Sequence, residues 1–174
     1  MVFQTRCILS RNENGSMSKE WMILVAVWVT AFSMFFFIPR NSFRLAQVAI
    51  LFKQLITWII GLVVVELGLI EYPVREFASE NRSSFTFEYL AYPIVCGLFN
   101  SRYPENRSLR FKLLYYCSYC SVLTVIELLI EKNTDLIRYL HWTWYWTWIT
   151  LFVTFFMSRN FCKWYFSLGK ILND

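Results

Sequence analysis

Five long apolar segments dominate the chain and limit the folds that it can adopt. They are residues 21–38, 46–70, 87–103, 111–130 and 140–157. Each is close to the 17–25 residues that a helix needs to cross the hydrocarbon core of a bilayer. A backbone surrounded by lipid must satisfy its own hydrogen bonds, which single segments of this length do as α-helices. The sequence therefore predicts an all-α integral membrane bundle of about five transmembrane helices.

Composition supports this prediction. Of the 174 residues, 57% are hydrophobic, more than a soluble domain of this size can bury. Aromatic residues make up 20%, and Trp and Tyr favour the membrane–water interface. The net charge of +5 does not indicate a nucleic-acid partner, because Lys and Arg lie in short clusters between apolar segments. The expected partner is the lipid bilayer.

The two ends differ from the apolar middle. Residues 1–20 form a polar tail without the layout of a signal peptide, and Met17 offers an alternative start. Residues 159–174 alternate basic and aromatic side chains, which predicts a basic amphipathic helix on the membrane surface. The transmembrane domain is therefore expected to be 21–158, between these two tails.

The distribution of basic residues predicts the orientation. Lys and Arg near the segment ends number five on one side (Lys19, Arg75, Arg82, Lys132, Arg138) and nine on the other (Arg40, Arg44, Arg102, Arg107, Arg110, Lys112, Arg159, Lys163, Lys170). Cytoplasmic loops carry the excess of basic residues. We therefore expect the N-terminus outside and the C-terminus in the cytoplasm.

Ionisable side chains inside apolar segments are costly, so each one suggests a function. Counting from the midpoints of the loops places Glu66, Glu88, Glu127 and His141 near the same outward-facing end. With Tyr145, these groups could bind a proton, a cation or a divalent metal. The alternative is that each carboxylate only anchors its helix at the interface. Lys53 is expected about two turns from the opposite end, away from them.

Two helix faces carry polar or small residues at helical spacing. Cys117, Cys120, Thr124, Glu127 and Glu131 are spaced 3-4-3-4, which places them on one face that should point into the bundle. In the second segment, a shared face is expected to let another helix approach closely; its members are Lys53, Thr57, Gly61 and Gly68.

Tryptophan recurs at every second position near the start of the fifth segment, at Trp142, Trp144, Trp146 and Trp148. Such a run is typical of an aromatic belt at the membrane interface. The alternative is an aromatic surface that binds an amphipathic lipid or a quaternary ammonium group.

Three stretches suggest a family. They are GLIEYPVREF at 68–77, SFTFEY at 84–89 and HWTWYWTW at 141–148. Together they resemble a family of small uncharacterised multi-pass membrane proteins of endospore-forming Bacillus and Clostridium relatives. The resemblance covers about 21–166 and implies a bacterial cell membrane. It carries over no catalytic residue.

Three functions follow as hypotheses. The first is a non-enzymatic membrane component, a homo-oligomer or partner subunit, linked to sporulation. The alternative is a small transporter or an ion- or metal-binding membrane protein that uses the carboxylate cluster. The last is a lipid-modifying enzyme with His141 and a nearby Glu as acid and base. No nucleophile or paired His motif supports an enzyme, and we expect no cofactor.

Overall fold

A computed structural model describes residues 19–171. The polar N-terminal tail, apart from Lys19 and Glu20, lies outside the described residues, as do the alternative start at Met17 and residues 172–174. The structure is 74% helical, which confirms the all-α class. The five α-helices of these residues are α1 (Lys19–Phe36), α2 (Phe43–Glu66), α3 (Tyr92–Ser101), α4 (Leu109–Asn133) and α5 (Trp144–Ile171).

In the described part of the chain, three stretches are long and apolar enough to cross a membrane: α1, the stretch Arg40–Glu66 that contains α2, and α4. Their mean hydropathies are 1.4, 2.3 and 1.8. By contrast, α3 has only 10 residues, about 15 Å of helix. It continues a π-helical segment, Thr86–Ala91, so the predicted third span is a composite helix.

The last helix extends further than the sequence indicated. Residues 159–171 continue α5 without a break instead of forming a separate amphipathic helix. The start of α5 is also later than the predicted residue 140. Residues 134–143 are irregular apart from a short strand, because the N–H groups of Leu140 and His141 bond to the carbonyl of Leu69.

A two-stranded ribbon joins two of the loops. Strand β1 (Ile70–Glu71), after α2, pairs antiparallel with β2 (Arg138–Tyr139), between α4 and α5. Both loops therefore lie at one end of the bundle, as the loop midpoints predicted; we call it the ribbon end. Gly68 was expected on the face of the second helix but has a φ of +66° and follows the last turn of α2. Glycine adopts this conformation without strain, and it commonly follows a helix end.

The helices pack around α2 and α3. A Cβ atom added at Gly97 of α3 would lie 2.7 Å from Ile50 Cγ1 on α2, so only glycine allows this approach. Helix α5 packs on α2 and α4, while α1 packs on the π-helical segment and α3. Large apolar side chains remain exposed around the outside, including Val29 (61%), Leu51 (66%) and Val122 (58%).

Candidate functional site

The polar face predicted on α4 points into the bundle, which confirms that prediction. Cys120, Thr124 and Glu127 are 0%, 3% and 7% exposed. Cys117 and Glu131, at the two ends of the same face, are half-buried. A carboxylate buried in this way needs hydrogen-bond partners, and Glu127 has several.

Glu127 is held by hydroxyl groups from three other elements. Its Oε1 accepts hydrogen bonds from Tyr139 (2.5 Å) on β2 and from Thr147 (2.9 Å) on α5. Its Oε2 accepts one from the hydroxyl of Tyr92 at the start of α3. The indole N–H of Trp142 donates in turn to Thr147 Oγ1 at 2.8 Å. The carboxylate therefore ties β2, α3 and α5 to α4.

Burial raises the pKa of the Tyr139 hydroxyl well above its usual value, and the negative charge of Glu127 beside it adds to the shift. The phenol therefore stays protonated at physiological pH. It can act as a permanent donor to the Glu127 carboxylate.

Glu88 lies in the π-helical segment and is 8% exposed. The hydroxyl of Tyr72 donates to its Oε1 at 3.1 Å. Burial, followed by the nearby Glu88 carboxylate, raises the pKa of Tyr72, so this phenol also remains a donor. A Cβ atom added at Gly61 of α2 would lie 2.9 Å from Glu88 Cδ. Gly61 therefore does have a close neighbour, but the neighbour is the Glu88 side chain, whereas the sequence predicted the approach of another helix. π-helical turns occur frequently at functional sites.

Lys53 reaches the same region from α2 and is 1% exposed. Its ammonium group donates to Thr154 Oγ1 on α5 and lies 4.8 Å from the ring centroid of Phe155. Among the described residues, no carboxylate is within salt-bridge distance of it. The sequence placed Lys53 far from the carboxylates, but the structure brings it to them.

Lys53, Glu88 and Glu127 line one pocket of about 60 Å³. The other lining groups include hydroxyls and one indole, contributed by Thr57, Tyr72, Tyr92, Trp142, Thr147, Thr150 and Thr154. A water molecule needs about 10–15 Å³ of such space, so the pocket holds on the order of four waters. We call this set of residues the buried polar pocket.

The other residues predicted for an outer cluster lie elsewhere. Glu66 is exposed and pairs with Arg82 at 3.5 Å. It follows Gly61 by five positions, about 140° around the helix, so it points away from the pocket. His141 is exposed, with Nδ1 3.4 Å from the carbonyl of Gly68, and Tyr145 is 45% exposed. The structure therefore brings together only Glu88 and Glu127 from the predicted cluster.

The four tryptophans divide between two environments. Trp144 and Trp146 are 56% and 47% exposed, as an interfacial belt requires. Trp142 and Trp148 are half-buried, and Trp148 donates to Ser121 Oγ on α4 at 3.1 Å. Trp142 precedes α5 and lines the buried polar pocket.

Sequence reasoning missed the hydroxyl groups around the carboxylates. A signal existed on α5, where Thr147, Thr150, Thr154 and Ser158 are spaced 3-4-4, the same periodicity that revealed the α4 face. Three of these, Thr147, Thr154 and Ser158, are 4%, 4% and 0% exposed. Tyr72 directly follows β1 and Tyr139 lies in β2, outside the helices, where helical periodicity gives no signal.

Within residues 19–171, no three His, Cys, Asp or Glu side chains gather as a metal ion would require. Comparison with models of known protein families, with curated proteins and with solved structures gives no match. The chemistry of the buried polar pocket must therefore be derived from its own residues.

Proposed function

We propose that the chain is a non-enzymatic, multi-pass integral membrane protein that binds and releases a proton in the buried polar pocket, as a small transporter or ion-binding protein does. One observation carries the proposal. Two carboxyl groups and one ammonium group, all at least nine-tenths buried, line a single pocket between helices.

Insertion into a membrane is supported by the helices themselves. Within residues 19–171, three stretches have the length and hydropathy of a span, and their outer surfaces expose large apolar side chains such as Leu51 and Val125. Lipid favours such a surface, whereas water does not. The proposed orientation keeps the N-terminus outside and the C-terminus in the cytoplasm, which places the ribbon end outside.

Charge balance indicates what the pocket binds. Lys53 offsets one carboxylate, so a second positive charge is required, because an unpaired charge inside a membrane protein is costly. Hydrogen bonds from hydroxyl groups favour the ionised form of a carboxylate. Glu127 accepts three of them, whereas among the described residues only Tyr72 donates to the Glu88 side chain. We therefore assign the ionised carboxylate to Glu127 and the exchangeable proton to Glu88.

The size of the pocket favours a proton over a divalent metal. A divalent cation such as Ca²⁺ takes about six to eight oxygen ligands. The oxygens of Glu127 are already engaged by hydroxyl donors, and the pocket of about 60 Å³ has room for on the order of four waters, fewer than the ligands that such a cation takes. His141, the acid–base group of the enzyme hypothesis, is exposed and does not line this pocket.

Infrared difference spectroscopy tests the proposal on protein reconstituted in phosphatidylcholine vesicles. A pH step should change the carbonyl band of a protonated carboxylic acid in the wild type. Glu88→Gln should remove this change directly. Glu127→Gln should also remove it, because Glu88 then becomes the ionised partner of Lys53. Glu66→Gln is the matched control, since Glu66 is exposed and outside the pocket. A change that persists in Glu88→Gln would refute the assignment of the proton to Glu88.

The first sequence hypothesis, a partner subunit linked to sporulation in a bacterial cell membrane, remains a separate proposal. It predicts that native mass spectrometry of gently released protein detects a second subunit or a homo-oligomer. A single protomer that carries only bulk lipid would count against it.

A further inference from the structure

A second, larger cavity lies between α1 and α4, with α3 as its floor. It has a volume of about 590 Å³, within the range of about 300–1,000 Å³ for ligand pockets. Its walls are almost entirely aliphatic or aromatic. Two of its polar lining residues, Tyr92 and Glu127, also line the buried polar pocket. We call this cavity the α1–α4 groove.

The dimensions of the groove match one lipid chain. Its lining runs from Ile23 to Met34 on α1 and from Ser118 to Ile130 on α4. At 1.5 Å per residue these stretches are about 16 and 18 Å long. Half of the hydrocarbon core of a bilayer is about 15 Å thick. The groove is therefore about as long as an acyl chain in one leaflet.

A positive charge lies near the ribbon end of the groove, one helical turn before its lining residue Ile23. Lys19, the first residue of α1, donates from Nζ to the carbonyl of Asn133, the last residue of α4, at 2.9 Å. This contact joins the two helices beside the ribbon end, next to the groove residues Ile23 and Ile130. No carboxylate of the described residues pairs with Lys19. Its ammonium group therefore complements the phosphate of a lipid headgroup.

We propose that the α1–α4 groove binds one phospholipid, with an acyl chain between α1 and α4 and the phosphate beside Lys19. The inference rests on the membrane insertion proposed above. The bound chain covers the groove side of Tyr92 and Glu127 and so closes the buried polar pocket toward the bilayer.

Photo-crosslinking tests this site. The probe is phosphatidylglycerol with a diazirine in one acyl chain, present as a minor component of phosphatidylcholine vesicles that contain the full chain. Labelling should concentrate on α1 and α4 peptides that line the groove. The double variant Ala26→Trp with Val122→Trp fills the groove and should reduce this labelling several-fold. The matched control is Val25→Trp with Val125→Trp, because these residues are 51% and 54% exposed but do not line the groove.

Two further measurements keep the outcomes distinct. Val122→Phe alone is a milder change, expected to reduce labelling less but in the same direction. Lys19→Gln should weaken labelling by phosphatidylglycerol and leave labelling by a diazirine diacylglycerol, which has no charged headgroup, unchanged. Equal labelling of the groove and of the Val25 and Val125 faces, or labelling that survives filling, would overturn the proposal. So would a diacylglycerol that labels the groove while phosphatidylglycerol does not.

Recovery of the protein in carbonate-washed membranes and the infrared response of Glu88 report on the proposed function separately. A protein that passes both tests but shows no groove labelling would refute the lipid site alone. A protein lost from washed membranes would refute the membrane insertion itself.

Discussion

Gly61→Ala tests the packing that positions Glu88. The added Cβ would lie 2.9 Å from Cδ of Glu88 and 3.1 Å from its Cγ and Oε1, closer than ordinary contacts of 3.4–4 Å. Glu88 must therefore move by about half an ångström or more. Overpacking of this kind costs about 1–3 kcal/mol. Alanine recovers about 1 kcal/mol through its higher helix propensity. We expect a net loss of about 0–2 kcal/mol in the free energy of unfolding.

Gly97→Ala is the matched control for this prediction. It overpacks the same pair of helices, because its Cβ would lie 2.7 Å from Ile50 Cγ1, but Gly97 does not line the buried polar pocket. Reversible unfolding of the reconstituted protein should show a comparable loss for both variants. Only Gly61→Ala should shift the carboxylic-acid band in the infrared difference spectrum. If the two variants gave the same spectrum as the wild type, the contact between Gly61 and Glu88 would not determine the state of the site.

Two further predictions follow from hydrogen bonds and ion pairs. Tyr139→Phe removes a donor to Glu127 and should lower the free energy of unfolding by about 1.5–3 kcal/mol. Tyr145→Phe, at an exposed position, should change this free energy little. Chemical unfolding in nanodiscs measures both variants, and equal losses would contradict the buried hydrogen-bond network. Glu105→Gln removes the carboxylate that pairs with Arg159, which is 6% exposed, and should lower the free energy of unfolding by about 1–3 kcal/mol. Glu66→Gln breaks an exposed pair with Arg82 and should lower it by about 0–1 kcal/mol. Thermal unfolding that ranks the two variants in the reverse order would refute this prediction.

Helical periodicity explains what the sequence could predict. Polar residues three and four apart on α4 must share a face, and a polar face between apolar ones points inward, as Thr124 and Glu127 do. The same reasoning placed Gly61 in a close contact, although it did not identify Glu88 as the neighbour.

Loops explain most of what the sequence could not predict. The outer cluster was derived from distances to loop midpoints, which give depth along a helix but not direction around it. Glu66 and Glu88 lie at similar distances from the midpoint, yet only Glu88 is buried. Tyr139 lies on β2 and Tyr72 directly follows β1. The pairing of these two-residue strands brings both tyrosines to the pocket, and no local sequence pattern reveals it.

The depth of Lys53 was misjudged for a related reason. A count of helical turns locates its Cα near the opposite end of α2, but the side chain is long enough to carry the ammonium group to Thr154 on α5. A long, flexible stem routinely places the charge of lysine well away from its backbone. The acceptor, Thr154, belongs to the Thr and Ser face of α5. Comparing the polar faces of α2 and α5 in the sequence would have indicated that Lys53 lies next to this face.

The state of the carboxyl groups in Lys53→Met tests the charge balance of the pocket most directly. The infrared band of protonated carboxylic acid is measured at neutral pH in vesicles, with the Glu88→Gln, Glu127→Gln double variant as baseline. In the wild type one carboxyl group should be protonated. A buried carboxylate without a cation is costly. In Lys53→Met both carboxyl groups should therefore be protonated, and the band should be about twice as strong as in the wild type. A band of unchanged strength in Lys53→Met would contradict the account, because Lys53 would then not compensate either carboxylate.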